Sequence, residues 1–298
     1  MNHNNNMKRI KITEQRWIGD GEMPFIIAEI GNNHNGDMQI AHNLIREGHA
    51  AGADAVKFQK KDIETAFPQE LLRQPYTGPN SYGETYRKHK EFLELSSEQL
   101  SELKVLADEL GIISFATPFD LPSVEICESL DYPLYKISSF HVTDLDLIRG
   151  VCQTGKPLIL STGMSTLEEI DTAVVEIRKY TEKFIILQCT SSYPTEIEDI
   201  NLRVIPALRE RYDCLVGYSG HERGVSIAAG AVLMGACVIE RHFTVDRTMK
   251  GPDHAASLEP EGLSLLVRRS RNFFKALGNE GKQLLPSEVA NRVKFRGA

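Results

Sequence analysis

From Pro24 onward, short apolar runs alternate with longer stretches in which Leu, Ile and Ala recur at a helical period. The strand-like runs are residues 25–30, 55–59, 112–117, 134–138, 157–162, 184–190, 214–219 and 237–242. Helical patterning is clearest over residues 40–51, 97–110 and 167–180. Gly52 and Gly111 stand where helices end. The strings Ser96-Ser97-Glu98-Gln99 and Ser165-Thr166-Leu167-Glu168 offer capping-box chemistry at helix starts. Eight strand–helix units over about 250 residues predict a (β/α)8 TIM barrel, an α/β fold. A doubly wound open sheet competes, but no GxGxxG turn follows the first strand.

The pattern divides the chain into three parts. Residues 1–23 form an N-terminal extension whose stretch 8–21 reads as a short β-hairpin plugging the bottom of the barrel. Residues 24–282 form the catalytic barrel. Residues 283–298 read as a C-terminal tail or the start of a linker. The segment 60–95 is too long for an ordinary βα loop, and its polar, Pro-, Gly- and Tyr-containing composition reads as a lid or substrate loop.

Composition narrows the class. With 41% hydrophobic and 25% charged residues among 298, the chain has the make-up of a soluble globular protein. No apolar run approaches the roughly 18 residues of a membrane span. The Asn-rich N-terminus has no signal core, so a cytoplasmic location is expected. Five cysteines (Cys127, Cys152, Cys189, Cys214, Cys237) are scattered without a close pair and read as reduced, mostly core residues. A net charge of −7 with no long basic run argues against nucleic acid as a partner. Any anionic ligand must then be held by a local positive cluster.

Barrel active sites lie at the C-terminal ends of the strands. There the sequence places Glu29, Lys57 and Gln59, Thr117, Lys136 with Ser138 and Ser139, Ser161 and Thr162. Ser191 and Tyr193 follow the sixth strand, then come Ser219 and His221, and last Glu240 and His242. Lys57 and Gln59 share a strand face, as do Ser219 and His221, and Glu240 and His242, so one register can aim each pair at the axis. Lys57 and Lys136 either stand solvated at the mouth, pair with Glu29 or Glu240, or form an anion cradle with Thr117, Ser139 and Ser219. His221 and His242 are either hydrogen-bonded residues or an open metal site. Two imidazoles without a thiolate suit Mn2+, Fe2+ or Co2+ and leave positions for water and a substrate oxygen. Asp253 and His254 lie in a turn that could fold over the same mouth. His3, His34, His42, His49, His89 and His141 show no ligand-like grouping, although His34 is close in sequence to Glu29.

Taken together, the strings IAEIGNNHNGD, AGADAVKFQ, FATPFD, YKISS, GKPLILSTGMSTLEEID, CTSSYPT, GYSGHERG and IERHFTVDRTMKGPDHAASLEP resemble the sialic acid synthase family, the N-acetylneuraminate synthase type, from about residue 26 to residue 261. The resemblance implies a transferase that condenses phosphoenolpyruvate with an N-acetylated amino-sugar aldehyde, N-acetylmannosamine or a relative, to a nine-carbon 2-keto acid with release of phosphate. It also implies a divalent metal, Mn2+ with Mg2+ or Co2+ as alternatives, and a homodimer acting in polysaccharide biosynthesis. By motif, His221 and His242 correspond to metal ligands, and Lys57, Thr117, Lys136, Ser139, Ser191 and Ser219 to phosphoenolpyruvate contacts. Ser161 and Glu240 complete the substrate-binding set. Glu29, Gln59, Tyr193 and Asp253 correspond to positions handling the sugar and the attacking water. Asn80, in the long loop, corresponds to a sugar contact. Glu29, Lys57 and His242 are the expected catalytic residues.

Typical members continue into a small antifreeze-like domain whose arginine reaches a neighbouring subunit's sugar site. Here the resemblance covers the barrel without that domain, and residues 285–292 resemble the start of the linker to it. A Schiff-base aldolase using Lys136 or Lys57, and a catalytically silent sugar-phosphate-binding barrel, are the competing functional readings.

Overall fold

The computed structural model describes residues 7–297. Residues 1–6 of the expected N-terminal extension, His3 among them, lie outside the described residues. A two-stranded antiparallel hairpin, β1 (Arg9–Lys11) and β2 (Trp17–Gly19), precedes the barrel. Eight parallel strands then close on themselves: β3 (Phe25–Gly31), β4 (Ala55–Lys60), β5 (Ile113–Pro118), β6 (Tyr135–Ile137), β7 (Leu158–Ser161), β8 (Phe184–Cys189), β9 (Leu215–Gly220) and β10 (Val238–His242), with β10 pairing β3. All eight expected strands are present. The fourth and fifth are each two residues shorter than the expected 134–138 and 157–162.

Covered on both faces, these strands read as continuous apolar runs rather than as alternating ones; β8 is buried at every position. Between the strands, side chains cap the helices. Asp37 accepts from the amides of Gln39 and Ile40 at the start of Met38–Ala50. Ser96 and Gln99 form a reciprocal box at the start of Ser97–Leu110, which Gly111 closes in the left-handed conformation with φ 76°. The box opening Leu167–Arg178 is Thr166 with Glu169, one residue beyond the string expected from sequence, because that pair meets the N-cap-to-N3 spacing. Gly52 is not itself the cap of the first helix: Ala51 is, and Gly52 follows it.

The hairpin sits at the N-terminal ends of the strands, as expected. Ile10 and Ile18 pair across it and, with Ile12, are buried in the core. Arg16 reaches Asp54 at 3.1 Å, just ahead of β4, and Arg209 holds Asp20 at 2.8 Å. Lys8 bonds Asp213 ahead of β9.

One glycine fixes how closely the barrel strands approach. A Cβ on Gly217, in β9, falls 2.5 Å from both Leu187 Cδ2 and Val238 O, the second of these backbone. Gly217→Ala is therefore expected to cost about 1–3 kcal/mol, read as a lowered urea midpoint; an unchanged midpoint refutes the tight approach of β8, β9 and β10 there.

The long segment after β4 is folded. It carries the short helices Ile63–Ala66 and Gln69–Leu72 and the helix Tyr86–Leu93. Tyr76, Tyr82, Tyr86, His89 and Phe92 pack ring on ring. Its base is fixed by Lys60 Nζ, which donates to Glu94 Oε1 at 2.8 Å and to the Leu95 carbonyl at 2.9 Å. Its tip leans on the turn after β10: Tyr82 donates its hydroxyl to the Lys250 carbonyl, and Gly251 donates its amide to Asn80. Among the described residues no helix is long and apolar enough to cross a membrane.

Candidate active site

Strand register decides which side chains meet. Glu29 stands beside His242 across the β3–β10 seam and beside Lys57 across β3–β4. Ser219 stands beside Glu240, and Gln59 beside Thr117. Neighbouring strands are about 4.8 Å apart, so inward side chains at matched positions must touch. After Glu29 the register slips at Gly31, whose φ of 55° is left-handed. A Cβ there would lie 3.1 Å from Glu29 Oε1 and 3.2 Å from Gln59 Nε2, so only glycine leaves room for both.

The result is a cavity of about 510 Å³ at the C-terminal face, walled by Glu29, Lys57, Gln59, Thr117, Lys136, Ser139, Ser161, Ser191, Tyr193, Ser219, His221, Glu240, His242 and Asp253. Of the residues that the sequence nominated, Thr162, His254 and Asn80 do not line it; Thr162 donates its hydroxyl to the Leu187 carbonyl at 2.8 Å, and Asn80 stays in the long segment after β4, bonded at 3.3 Å to the amide of Gly251.

At the floor lies a buried charge cluster. Lys57 Nζ is 2.6 Å from Glu29 Oε2, 3.7 Å from Glu240 Oε2, and donates to Thr117 Oγ1 at 2.8 Å. Lys136 Nζ donates to Glu240 Oε1 at 2.8 Å, and Ser219 donates to the same oxygen at 3.3 Å. Two of the readings open at the sequence level hold together: the lysines are ion-paired, and they line the cavity. Burial pulls Lys57 down, yet Glu240 and Glu29 outweigh it and leave its pKa raised. At Lys136 burial prevails, and Glu240 only partly restores the charged form. Burial pushes Glu240 up, but Lys136 and Lys57 outweigh it and hold the carboxyl below the usual range. Counting the lining residues, four lysines (Lys57, Lys61, Lys90, Lys136) face three carboxylates (Glu29, Glu240, Asp253) in a protein whose net charge is −7. An anion entering the cavity meets positive charge that the rest of the chain does not offer.

The two histidines meet beside this cluster, where His242 stands next to Glu29. Their ring centroids are 5.6 Å apart, and Tyr193 packs on His221 at 4.1 Å. His221 Nδ1 lies 2.8 Å from the Thr190 carbonyl; a carbonyl accepts only, so Nδ1 carries a proton, and burial, which lowers the ring's pKa, is outweighed by Cys189, which leaves it raised. His242 Nδ1 is buried with no hydrogen-bond partner, and burial lowers the ring's pKa, which keeps it neutral near pH 7. The two rings could share one divalent ion once His221 gives up its additional proton. No group of three or more His, Cys, Asp and Glu side chains arranged for a metal occurs among the described residues. Ser161 Oγ is likewise buried and unpartnered in the cavity wall, a donor aimed where a ligand oxygen can take it.

Some expectations are corrected. His254 does not face the mouth: it is fully buried, bonded to Thr244 Oγ1 at 2.7 Å and to Asn35 Oδ1 at 3.2 Å, and it holds the turn that presents Asp253. His34 is also turned away, buried and accepting from the Gly36 amide at 3.0 Å. His141, passed over in the sequence, lines the cavity, 2.8 Å from Ser138 Oγ. Cys189 is a wall residue too, and the neighbouring His221 outweighs burial to bring its thiol below the ordinary range. Lys61, Lys90 and Phe119 were not nominated at all, because they belong to the outer rim rather than to the strand-end pattern.

Known proteins are similar to this chain in sequence and in fold. N-acetylneuraminate-9-phosphate synthase of Homo sapiens is 42% identical over 287 residues, 96% of this chain and 80% of that protein. N,N'-diacetyllegionaminic acid synthase of Campylobacter jejuni is 39% identical over 272 residues, 89% of this chain and 81% of that protein. The crystal structure of N-acetylneuraminic acid (sialic acid) synthetase from Leptospira borgpetersenii, in complex with citrate, superposes with a TM-score of 0.84 at 33% identity, covering 98% of this chain and 99% of that one. The NeuB family profile matches residues 44–282. By sequence and by barrel, the chain belongs to the NeuB family.

Proposed function

We propose that this enzyme condenses phosphoenolpyruvate with an N-acetylated amino-sugar aldehyde, giving a sialic-acid-type 2-keto acid and inorganic phosphate. The observation that carries the reading is the buried Lys57–Glu29–Glu240–Lys136 cluster beside the paired rings of His221 and His242 in one cavity. The relatives' names, all synthases of such acids, supply the product class.

Lys57 and Lys136, with the hydroxyls of Thr117, Ser139, Ser191 and Ser219, hold the carboxylate and phosphate of phosphoenolpyruvate by charge and hydrogen bonds. His221 and His242 would hold a divalent ion, Mn2+ in our reading, which would supply Lewis-acid polarisation of the aldehyde oxygen. The enol carbon attacks the aldehyde carbon, whose oxygen takes up a proton to become a hydroxyl. Water adds at the carbon bearing the phosphate, and that carbon–oxygen bond breaks to leave a ketone and free phosphate. Glu29 is the carboxylate next to that carbon, fixed by Lys57 and by Gln59 Nε2 at 3.1 Å; it orients the water and takes its proton. Gln59, Tyr193 and Asp253 face the sugar, with Asn80 approaching from the lid.

The test is phosphate release from phosphoenolpyruvate over a panel of amino-sugars, with Mn2+ and with chelator. Metal-dependent release with at least one N-acetylated sugar is expected. Borohydride trapping of pyruvate on Lys136 or Lys57 without metal overturns the reading in favour of an aldolase.

A further inference from the structure

Two asparagines in the loop after β3 bond to the turn after β10 without lining the cavity. Asn35 holds the left-handed conformation, with φ 53°. Its Nδ2 donates to the Lys250 carbonyl at 3.0 Å, which fixes the amide so that Oδ1 faces His254 Nε2 at 3.2 Å. An amide oxygen accepts only, so His254 Nε2 carries a proton. Burial lowers the pKa of this ring and keeps it neutral near pH 7, and the bare Nδ1 accepts the Thr244 hydroxyl at 2.7 Å. The backbone of Gly251 lies hard against the pair: a Cβ there would fall 2.5 Å from His254 Cδ2 and 3.2 Å from Asn35 Oδ1. From the other side Ser257 Oγ donates to the Asp253 carbonyl at 2.7 Å, and Asn33 Nδ2 donates to that hydroxyl at 2.9 Å. Pro252 and Asp253, between the two anchors, line the cavity. The segment after β4 uses the same carbonyl as Asn35. Tyr82 donates its hydroxyl to it, and the Lys250 ammonium lies 4.6 Å from the Tyr82 ring centroid.

We propose that Asn35 is a positioning residue for Asp253: through Lys250 and His254 it sets the carboxylate that meets the acceptor sugar, and it ties that setting to the docked tip of the segment after β4. The proposal rests on the condensation reading above, in which Asp253 faces the sugar. A carboxylate on a loop has no strand register to aim it, and a displacement of about 1 Å in a positioning group costs on the order of a hundredfold. Here the aim comes from a single amide, whose donor holds residue 250 and whose acceptor holds residue 254. A carbonyl oxygen has two lone pairs, and at Lys250 one takes Asn35 and the other Tyr82, so barrel and tip grip one peptide group from two directions. Lys57, Thr117, Lys136 and Ser219, which hold phosphoenolpyruvate in this reading, bond among themselves and to Glu29 and Glu240. Among the described residues no hydrogen bond joins those four side chains to the turn. Loss of the Asn35 amide therefore separates the two substrates: the sugar is held less well, and phosphoenolpyruvate as before.

The test uses the full chain with Mn2+, phosphoenolpyruvate and the sugar of the panel that releases phosphate fastest. Asn35→Gly is the informative variant, because glycine adopts a left-handed φ without strain and only the side chain is lost. It is expected to raise KM for the sugar about tenfold and to leave KM for phosphoenolpyruvate within about twofold. Tyr82→Phe keeps the ring and loses the hydroxyl; it should raise the sugar constant by about threefold alone and by little when residue 35 is already glycine. Hydrogen exchange gives a readout that needs no turnover: amides of residues 76–83 and 246–254 should exchange faster in Asn35→Gly, with those of β4 and β5 unchanged. An unchanged sugar KM, a rise shared equally by both substrates, or fully additive effects of the two substitutions overturns the proposal. If no sugar releases phosphate, the condensation reading fails on its own. Exchange then decides the tie: acceleration confined to the two segments supports it, and unchanged or uniformly faster exchange overturns it.

Discussion

Replacing His242 by alanine is expected to remove condensation almost entirely, by about a thousandfold or more, because a Lewis acid contributes several kcal/mol and each 1.36 kcal/mol is tenfold in rate. The argument starts from the imidazole itself. His242 ends β10 beside Glu29, its Nδ1 is buried without a partner, and burial keeps the ring neutral. His221, whose pKa Cys189 raises against burial, must shed its additional proton to accept a cation, so metal loading should strengthen as the pH rises through the neutral range. Calorimetry with Mn2+ on the purified protein provides the second readout: His242→Ala should lose the binding event, and His221→Ala should as well. Turnover that persists at full rate in chelated buffer removes the metal from the mechanism.

The second large effect concerns stability. Arg241 is among the largest fully buried side chains, and its Nη1 donates to Glu222 Oε1 at 3.0 Å and to the Gly224 carbonyl at 2.7 Å. Tyr218 donates its hydroxyl to Glu222 Oε2 at 2.9 Å. Removing one partner of a buried ion pair strands the other charge, at a cost of about 3–5 kcal/mol. Arg241→Ala should therefore lower the urea midpoint more than Gly217→Ala does. Arg241→Met combined with Glu222→Gln should recover part of the loss, since no charge is then left buried alone. Glu222 directly follows His221 and Arg241 directly precedes His242, so the pair also sets the spacing of the two imidazoles. Any folded Arg241 variant should bind Mn2+ more weakly. An unchanged midpoint together with unchanged Mn2+ affinity removes both roles.

What could be read from the sequence followed the period of its patterns. Eight apolar runs separated by helical stretches identified the barrel, and strand parity grouped Lys57 with Gln59 and Glu240 with His242 before any coordinates. Parity also held the clue to Arg241, which lies between two inward residues and so must face outward. Its partner Glu222 lies in a loop, where no period specifies direction. Lys61 was hidden for a related reason: it follows the strand, and its burial depends on the way the lid closes over it through Glu94 and Phe119. His254 looked available because it stands near a functional string, yet a short-range hydrogen bond to Thr244 turns it inward. Sequence proximity marks a loop as functional without saying which of its side chains face the cavity.

The seam between β3 and β10 sets a timetable for synthesis. β3 is seven residues long and buried throughout, and one of its two edges pairs only with β10, whose first residue is Val238. At about 5–20 residues per second, roughly 10–40 s pass between the emergence of the two strands from the ribosome. For that interval an apolar strand presents a bare edge, the condition that invites pairing with the wrong chain. Glu29 and His242 become neighbours only when that edge is filled, so the last closure of the barrel is also the moment at which the site first exists.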